Sequence, residues 1–228
     1  MHLVLLTGAG MSAESGLKTF RDADGLWEGH DVYEVASPEG FARDPELVLD
    51  FYDQRRRQLL TCEPNDGHKR LAALEKDMDV TIITQNVDDL HERAGSTNVV
   101  HLHGELRKVR SILDEDYVID WDGDLKLGDL CPQGGQLRPH VVWFGEPVPL
   151  TDQAAEIVRT ADVLAIIGTS LLVYPAAGLV NYAGYDVPKF IIDPKVPDVF
   201  VPNLERIEAG ASEGIRILEE RLWSLRSR

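Results

Sequence analysis

Two short polar segments carry the side chains of this chain that are best suited to chemistry. Gln85, Asn86 and Asp88 directly follow the apolar run 80–84, and His103 follows a second apolar run. Such short apolar runs are typical of buried strands, and open parallel sheets form their ligand crevice at the carboxyl ends of strands. A histidine there can act as a general base, because its ordinary pKa of about 6.5 leaves it mostly neutral at pH 7.

A glycine-rich segment, TGAGMSAESG at residues 7–16, directly follows the first apolar run of the chain. Gly8 and Gly10 allow a tight strand-to-helix turn whose bare N–H groups can approach a pyrophosphate, which predicts a dinucleotide. A glycine turn that binds nothing would have a similar sequence. Residues 19–30 show no clean helical or strand period, so a long loop is expected after the turn.

A third apolar run, 163–168, ends in Gly168, Thr169 and Ser170. Taken singly, such residues often form a turn or a helix cap. Their place at the same sheet edge as the other polar segments favours a role in ligand binding.

Alternating apolar runs and helical stretches predict an α/β fold, with a parallel sheet covered by helices on both faces. The expected strands are 2–6, 80–84, 99–102, 163–168 and 190–193, and the expected helices are 66–76, 87–93, 152–160, 176–183 and 213–225. We expect a large part from residues 1–17, 65–106 and 145–228. Residues 18–64 and 107–144 fit the alternation poorly and are predicted to form a small discontinuous domain.

Composition narrows the function classes. The 228 residues include 39 acidic and 23 basic side chains, a formal charge of −16 that disfavours direct nucleic-acid binding. A lysine-rich protein partner suits this charge, as does a simple role in solubility or salt adaptation. No apolar stretch is long enough for a membrane span, and no leader segment is evident, so a cytoplasmic protein is expected. The sequence does not indicate an oligomeric state.

Six motifs, in order along nearly the whole chain, closely resemble those of the sirtuins, a family of NAD-dependent protein deacylases. They are GAGMSAESG (8–16), TFR (19–21), TQNVD (84–88), HLHG (101–104), RPHVVWFGE (138–146) and GTS (168–170). The bacterial branch related to the desuccinylating sirtuins is the most similar. The resemblance implies a Rossmann-like large part and a small domain, with NAD and an acyl-lysine peptide meeting between them.

The resemblance also implies roles for individual residues. It assigns His103 as the general base and Asn86 as a second catalytic residue. Those assigned to NAD are Gly8, Ala9, Gly10, Ser12, Glu14, Thr19, Phe20, Arg21, Trp27, Gln85, Asn86, Val87, Asp88, Gly168, Thr169, Ser170, Asp193 and Ala211. Those assigned to the substrate are Tyr52, Arg55, Val141, Val142, Trp143, Phe144, Gly145, Glu146 and Val173. In the implied reaction nicotinamide leaves and the acyl oxygen attacks the ribose. With help from His103, a ribose hydroxyl then attacks the resulting imidate, and water releases free lysine and O-acyl-ADP-ribose.

Arg55 bears on which acyl group is removed. The pair Asp44-Pro45 predicts the start of a helix, and on that helix Arg55 shares an apolar face with Val48, Tyr52 and Leu59. Arg56 and Arg57 are expected to point to solvent. A guanidinium on an apolar face needs an anionic or hydrogen-bonding partner. That partner is either a bound ligand or, equally, a nearby carboxylate or water reached by the long side chain. Tyr52 and Arg55 match the pair that clamps the acyl carboxylate in desuccinylating sirtuins, which implies desuccinylase and demalonylase activity beside deacetylase activity.

The chain departs from the family pattern at two places. Most sirtuins carry a structural zinc on four cysteines, but this chain has only Cys62 and Cys131, and Ser111 stands where a first cysteine is expected. We therefore predict that no zinc is bound. Asp193 replaces a common asparagine and can still accept hydrogen bonds from a ribose.

Two other functions use a similar nucleotide pocket. An NAD glycohydrolase or ADP-ribosyltransferase needs no acyl channel, and a non-catalytic NAD or ADP-ribose sensor needs no base. His103 with Asn86 and Asp88 argues against the sensor, and the peptide-pairing segment 141–146 argues against a dedicated glycohydrolase.

Overall fold

The computed structural model describes residues 1–18, 26–27 and 29–226, with the backbone alone described at 26–27. Its strands are β1 (His2–Thr7), β2 (Leu26–Trp27), β3 (His30–Asp31), β4 (Asp79–Thr84), β5 (Val99–His101), β6 (Gly104–Ser111), β7 (Val118–Asp120), β8 (Leu137–Val141), β9 (Val163–Ile167), β10 (Lys189–Ile192) and β11 (Leu204–Ile207). Its α-helices are α1 (Val32–Val35), α2 (Pro38–Arg43), α3 (Pro45–Thr61), α4 (Asp66–Leu74), α5 (Leu90–Ala94), α6 (Thr151–Arg159) and α7 (Ala211–Arg226).

Six strands form one parallel sheet in the order β11-β10-β9-β1-β4-β5, which confirms the predicted α/β fold. Thr7 at the end of β1 is level with Thr84 of β4 and Ile167 of β9. His101 at the end of β5 is in turn level with Thr84. The segments that follow these four strands therefore leave the sheet at one edge, as the ligand-crevice argument requires.

Helices cover both faces of the sheet. On one face, α4 and α7 pack over a core that includes Leu3, Leu5 and Ile82. On the other face, α6 and the 3₁₀ helix Ala176–Tyr182 pack over a core that includes Val4 and Leu6. Successive residues of β1 thus enter opposite cores, as the two-residue period of a strand dictates. In the part of the chain that the structure describes, no helix is long and apolar enough to cross a membrane.

Three local predictions differ from the structure. The helix expected at 87–93 begins only at Leu90, because residues 87–89 remain irregular and Asp88 Oδ1 accepts the N–H of Leu90 at 3.2 Å. The segment expected as a helix at 176–183 is a 3₁₀ helix. Strand β11 was missed: its sequence, LERI, leaves Glu205 exposed at the sheet edge and gives no continuous apolar run.

A separate antiparallel sheet, in the order β7-β6-β8, lies beside α3. Its core contains Val109, Leu125, Cys131 and Leu137, together with Leu49 of α3. Leu127 and Leu130 lie outside this core, since their side chains are 47% and 53% exposed.

Two neutral histidines are buried beneath the central strands. The rings of His68 (α4) and His91 (α5) lie 4.8 Å apart, and His91 Nε2 lies 3.2 Å from Thr7 Oγ1. Within the described residues, neither ring nitrogen of His68 has a hydrogen-bond partner. Burial lowers the pKa of His68 to about 4 and that of His91 well below its usual value.

This pair predicts that the fold loses stability in mild acid. Between pH 6.5 and about pH 4, these two histidines bind protons in the unfolded chain but remain neutral in the folded chain. The free energy of unfolding therefore falls as the pH falls. For His68 alone the loss from pH 7.5 to pH 5 is about 2 kcal/mol. Urea unfolding of the wild-type protein and of His68→Leu at both pH values measures this loss in the free energy of unfolding. The same loss in both proteins would show that His68 contributes nothing to the acid sensitivity.

Candidate functional site

A cavity of about 830 Å³ lies at the carboxyl edge of the parallel sheet. All the predicted site residues with described side chains border it. From the NAD set these are Gly8, Ala9, Gly10, Ser12, Glu14, Gln85, Asn86, Val87, Asp88, Gly168, Thr169, Ser170, Asp193 and Ala211. From the other sets they are His103, Tyr52, Arg55, Val141, Val142, Trp143, Phe144, Gly145, Glu146 and Val173. Thr19, Phe20, Arg21 and the Trp27 side chain lie outside the described residues.

The floor of the cavity is bare backbone where two glycine loops meet. Gly8 N donates to Ile167 O at 2.9 Å, and Gly10 N donates to Gly168 O at 2.8 Å. A Cβ on Gly10 would lie only 2.6 Å from the Cα of Gly168, and Gly168 itself has a φ of +62°, so both positions favour glycine. Side chains at these positions would separate the loops after β1 and β9.

The turn after β1 differs from the expected strand-to-helix turn. It continues as two short 3₁₀ helices, Ala9–Met11 and Ala13–Ser15, and not as an α-helix with an aligned dipole. Glu14, which borders the cavity, accepts the N–H of Ser212 at 3.2 Å and the Ser212 hydroxyl. Its carboxylate thereby joins the first turn of α7 to the glycine loop.

The loop after β4 is tied to this turn by a buried polar cluster. Asn86 Nδ2 donates to Gly8 O and to Ser12 Oγ, both at 3.1 Å, and Ser12 Oγ donates to Asp88 Oδ2 at 2.8 Å. Because a backbone carbonyl can only accept, the amide nitrogen must face Gly8, which leaves Asn86 Oδ1 as an acceptor beside the cavity. Burial raises the pKa of the Asp88 carboxyl, while the hydrogen bond from Ser12 opposes the shift.

The geometry around His103 suits a general base. Its Nδ1 lies 3.0 Å from the carbonyl oxygen of Gln85, which can only accept, so Nδ1 carries the hydrogen and Nε2 carries the lone pair. Burial lowers the pKa of His103, although the Gln85 bond partly opposes this effect. The ring is therefore neutral, and able to take a proton, at neutral pH.

An ion cluster shapes the wall of the cavity that the segment between β8 and α6 forms. Glu146 accepts two hydrogen bonds from Arg138, at 2.7 and 2.9 Å, and others from Arg110 and from the N–H of Trp143. The Arg138 guanidinium lies 3.5 Å from the centroid of the Trp143 ring. Sequence analysis did not identify Arg110 and Arg138 as a pair. They occupy facing positions of β6 and β8, where two inward cations require a carboxylate.

Trp143 connects this wall to helix α3. Its indole Nε1 donates to the hydroxyl of Tyr52 at 2.9 Å, and Tyr52 is completely buried. Burial raises the pKa of Tyr52 well above its usual value, so the phenol keeps its proton at neutral pH and can donate it. A bond between residues 91 positions apart has no signal in one sequence.

Helix α3 begins where predicted, with Asp44 accepting the N–H of Leu47 at 3.0 Å. Arg55 is half-buried, borders the cavity and has its guanidinium carbon 5.2 Å from the ring centroid of Phe51. The expectation for Arg56 was wrong: it is buried, with bonds to Asp53 at 2.6 Å and to Leu106 O at 3.1 Å.

Cys131, the one cysteine in the segment where the family zinc was expected, lies in the core of the small sheet. Cys131 Sγ accepts hydrogen bonds from Ser111 Oγ and from Gly135 N, both at 3.2 Å. Across the described ranges, no three His, Cys, Asp or Glu side chains are grouped as a metal site. One thiol bonded in this way does not match the closed thiolate set of a structural zinc.

Comparisons with known proteins agree with this geometry. The model of the Sir2 family matches residues 8–175. A Helicobacter pylori (strain ATCC 700392 / 26695) protein named NAD-dependent protein deacylase is 56% identical, with 99% of each chain covered. One of the same name from Bacteroides thetaiotaomicron is 53% identical, with 97% of each covered.

Solved structures are similar over the same extent. A Sir2 homologue in complex with NAD superposes with a TM-score of 0.85 at 40% identity, covering 97% of this chain and 90% of that one. A Sir2 protein bound to an acetylated peptide gives 0.78 at 30% identity, covering 96% and 92%.

Proposed function

Because the chain belongs to the Sir2 family and is an NAD-dependent protein deacylase, we propose that it removes acetyl, succinyl and malonyl groups from lysine side chains. The observation that supports this most is the single cavity that borders the His103 ring, the polar loop after β4 and the α3 pair Tyr52 and Arg55. The proposed base, the residues assigned to NAD and those assigned to the acyl group therefore border the same cavity, where NAD and the acyl-lysine would meet.

The residues around the cavity fit NAD. The bare loops at Gly8 and Gly168 admit a pyrophosphate close to the backbone, and Gln85 and Thr169, joined by a 3.1 Å hydrogen bond, offer polar groups to ribose hydroxyls. Asn86 Oδ1 is an acceptor suited to a carboxamide. When bound, NAD supplies the ribosyl carbon to which the acyl oxygen is transferred as nicotinamide leaves.

The protein's own groups supply the remaining steps. His103 Nε2 takes a proton from a ribose hydroxyl, since Nδ1 is held by Gln85. The segment 141–146 offers its backbone to an extended peptide as an added strand, with its shape fixed by Glu146 and Arg138. Main-chain pairing of this kind accepts many peptide sequences, so protein substrates share the acyl-lysine and little else.

A product analysis separates this proposal from its alternatives. Incubation with NAD and acetyl-, succinyl- or malonyl-lysine peptides should give nicotinamide, free lysine and O-acyl-ADP-ribose in equal amounts, measured by mass spectrometry. Bare ADP-ribose formed without peptide turnover would identify a glycohydrolase, and ADP-ribosylated protein would identify a transferase. NAD binding with no product of either kind would indicate a sensor.

We further predict that the antiparallel sheet folds without zinc, because Cys131 is bonded to Ser111 and its apolar neighbours fill the core. Elemental analysis of protein purified without added metal should find zinc far below one atom per chain. EDTA should leave the Tm unchanged. One zinc per chain, or a marked fall in Tm with chelator, would contradict this prediction.

A further inference from the structure

His101, two residues before the proposed base, lies in a different environment from His103. Its Nε2 lies 2.7 Å from Glu92 Oε1, and its Nδ1 lies 3.2 Å from the carbonyl oxygen of Asn86. Both partners only accept hydrogen bonds when Glu92 is ionised, so both ring nitrogens must donate. A ring that donates from both nitrogens is an imidazolium.

The charged groups around His101 favour this state. Burial by itself lowers the pKa of His101, but the hydrogen bond and charge of Glu92 outweigh it and Glu105 adds to them, so the pKa is raised. The Glu92 carboxyl in turn has a lowered pKa: burial raises it, but the bond to His101, the charges of His101 and Lys108 and a backbone hydrogen bond together outweigh the burial. Two further groups interact electrostatically with the His101 cation: Asp88, whose carboxylate it favours, and His91, whose pKa burial lowers first and the His101 cation lowers further.

The contact with Asn86 gives His101 a link to the cavity. Asn86 N donates to Thr84 Oγ1 at 3.0 Å, and its side-chain amide is held by Gly8 and Ser12. The Asn86 carbonyl, which accepts a hydrogen bond from His101 Nδ1, is the remaining polar backbone group of Asn86. When this carbonyl is fixed, both backbone polar groups of Asn86 are anchored and the direction of Asn86 Oδ1 is set.

We propose that His101 is a positioning residue: as an imidazolium held by Glu92, it fixes the Asn86 carbonyl and aims Asn86 Oδ1 at the nicotinamide end of NAD. The proposal rests on the NAD role of Asn86 in the proposed function. The two histidines of the HLHG motif then have different roles: the charged His101 positions Asn86, and the neutral His103 acts as the general base.

The division predicts two limbs in the pH profile of steady-state deacylation. The ascending limb belongs to His103, which must be neutral. The descending limb belongs to His101, because the neutral ring has one N–H and must release either Glu92 or Asn86. Glu92→Gln removes the charge that favours the imidazolium, so it should move the descending limb to lower pH and leave the ascending limb in place.

The test uses His101→Gln and Glu92→Gln, with Glu213→Gln as a matched control. Glu213 also forms an ion pair, with Arg216 on the surface of α7, far from the motif. We expect kcat/KM for NAD to fall about tenfold in His101→Gln, with a much smaller change in the KM of the acyl peptide. NMR titration of the ligand-free protein should show the His101 ring charged above pH 6.5, and less so in Glu92→Gln.

Each outcome decides between the possibilities. A descending limb that stays in place in Glu92→Gln, or equal losses toward NAD and peptide in His101→Gln, would overturn the positioning role. An NMR titration of His101 at or below pH 6.5 would overturn the imidazolium. If the wild-type protein releases no nicotinamide, the proposed function fails, and the NMR titration still tests the charge state of His101.

Discussion

His103→Ala is expected to lose deacylation by about 100- to 10,000-fold, the usual effect of removing a positioned general base. The Gln85 carbonyl holds Nδ1, so Nε2 is the nitrogen that accepts a proton, and no other side chain is assigned this task. Binding of NAD should change little, because the glycine loops and the Asn86 cluster do not include the ring. Steady-state deacylation and calorimetric NAD titration measure the two effects separately.

His2→Ala is a suitable control for this variant. His2 opens β1, at the end of the sheet opposite the cavity, where its ring contacts Thr160 and Thr81. It should deacylate like the wild type. Near-normal turnover by His103→Ala would remove this residue from the mechanism, whereas a matching loss of NAD affinity would assign it to binding.

The parts of the fold that were predictable from sequence are those fixed by local patterns. The apolar run in β1 is short and followed by a glycine turn, which favours a buried parallel strand, and its side chains do enter both cores. Asp44 before Pro45 specified the start of α3. Strand β11 was missed because an edge strand with exposed charges lacks that pattern.

The sequence predicted which residues of the site come together, since the ends of parallel strands must share one edge of the sheet. It did not predict the hydrogen-bond partners of those residues. Helix geometry placed Arg56 toward solvent, but the acceptors that bury it, Leu106 O and Gly123 O, lie 50 and 67 positions further on. The bond from Trp143 to Tyr52 is equally remote in sequence, and only a three-dimensional structure brings such groups together.

Arg55→Met is expected to raise the KM for a succinyl-lysine peptide at least about tenfold, since a charged hydrogen bond contributes about 1.5–3 kcal/mol. Arg55 borders the cavity from the same helix as Tyr52, and its planar guanidinium can grip a carboxylate with two parallel bonds. An acetyl group carries no carboxylate, so the KM for the acetyl peptide should change far less. Parallel assays of succinyl and acetyl peptides of one sequence measure the difference.

The same helix offers a matched control. Arg57→Met removes an exposed guanidinium that binds Asp124 through two 2.9 Å contacts, and it should leave the ratio of succinyl to acetyl activity unchanged. Tyr52→Phe should lower that ratio as Arg55→Met does, because the phenol that accepts the Trp143 N–H has its own hydrogen to donate to the acyl carboxylate. Equal losses on both peptides in Arg55→Met would show that Arg55 stabilises the packing of α3, and the preference for acidic acyl groups would then need another cation beside the cavity.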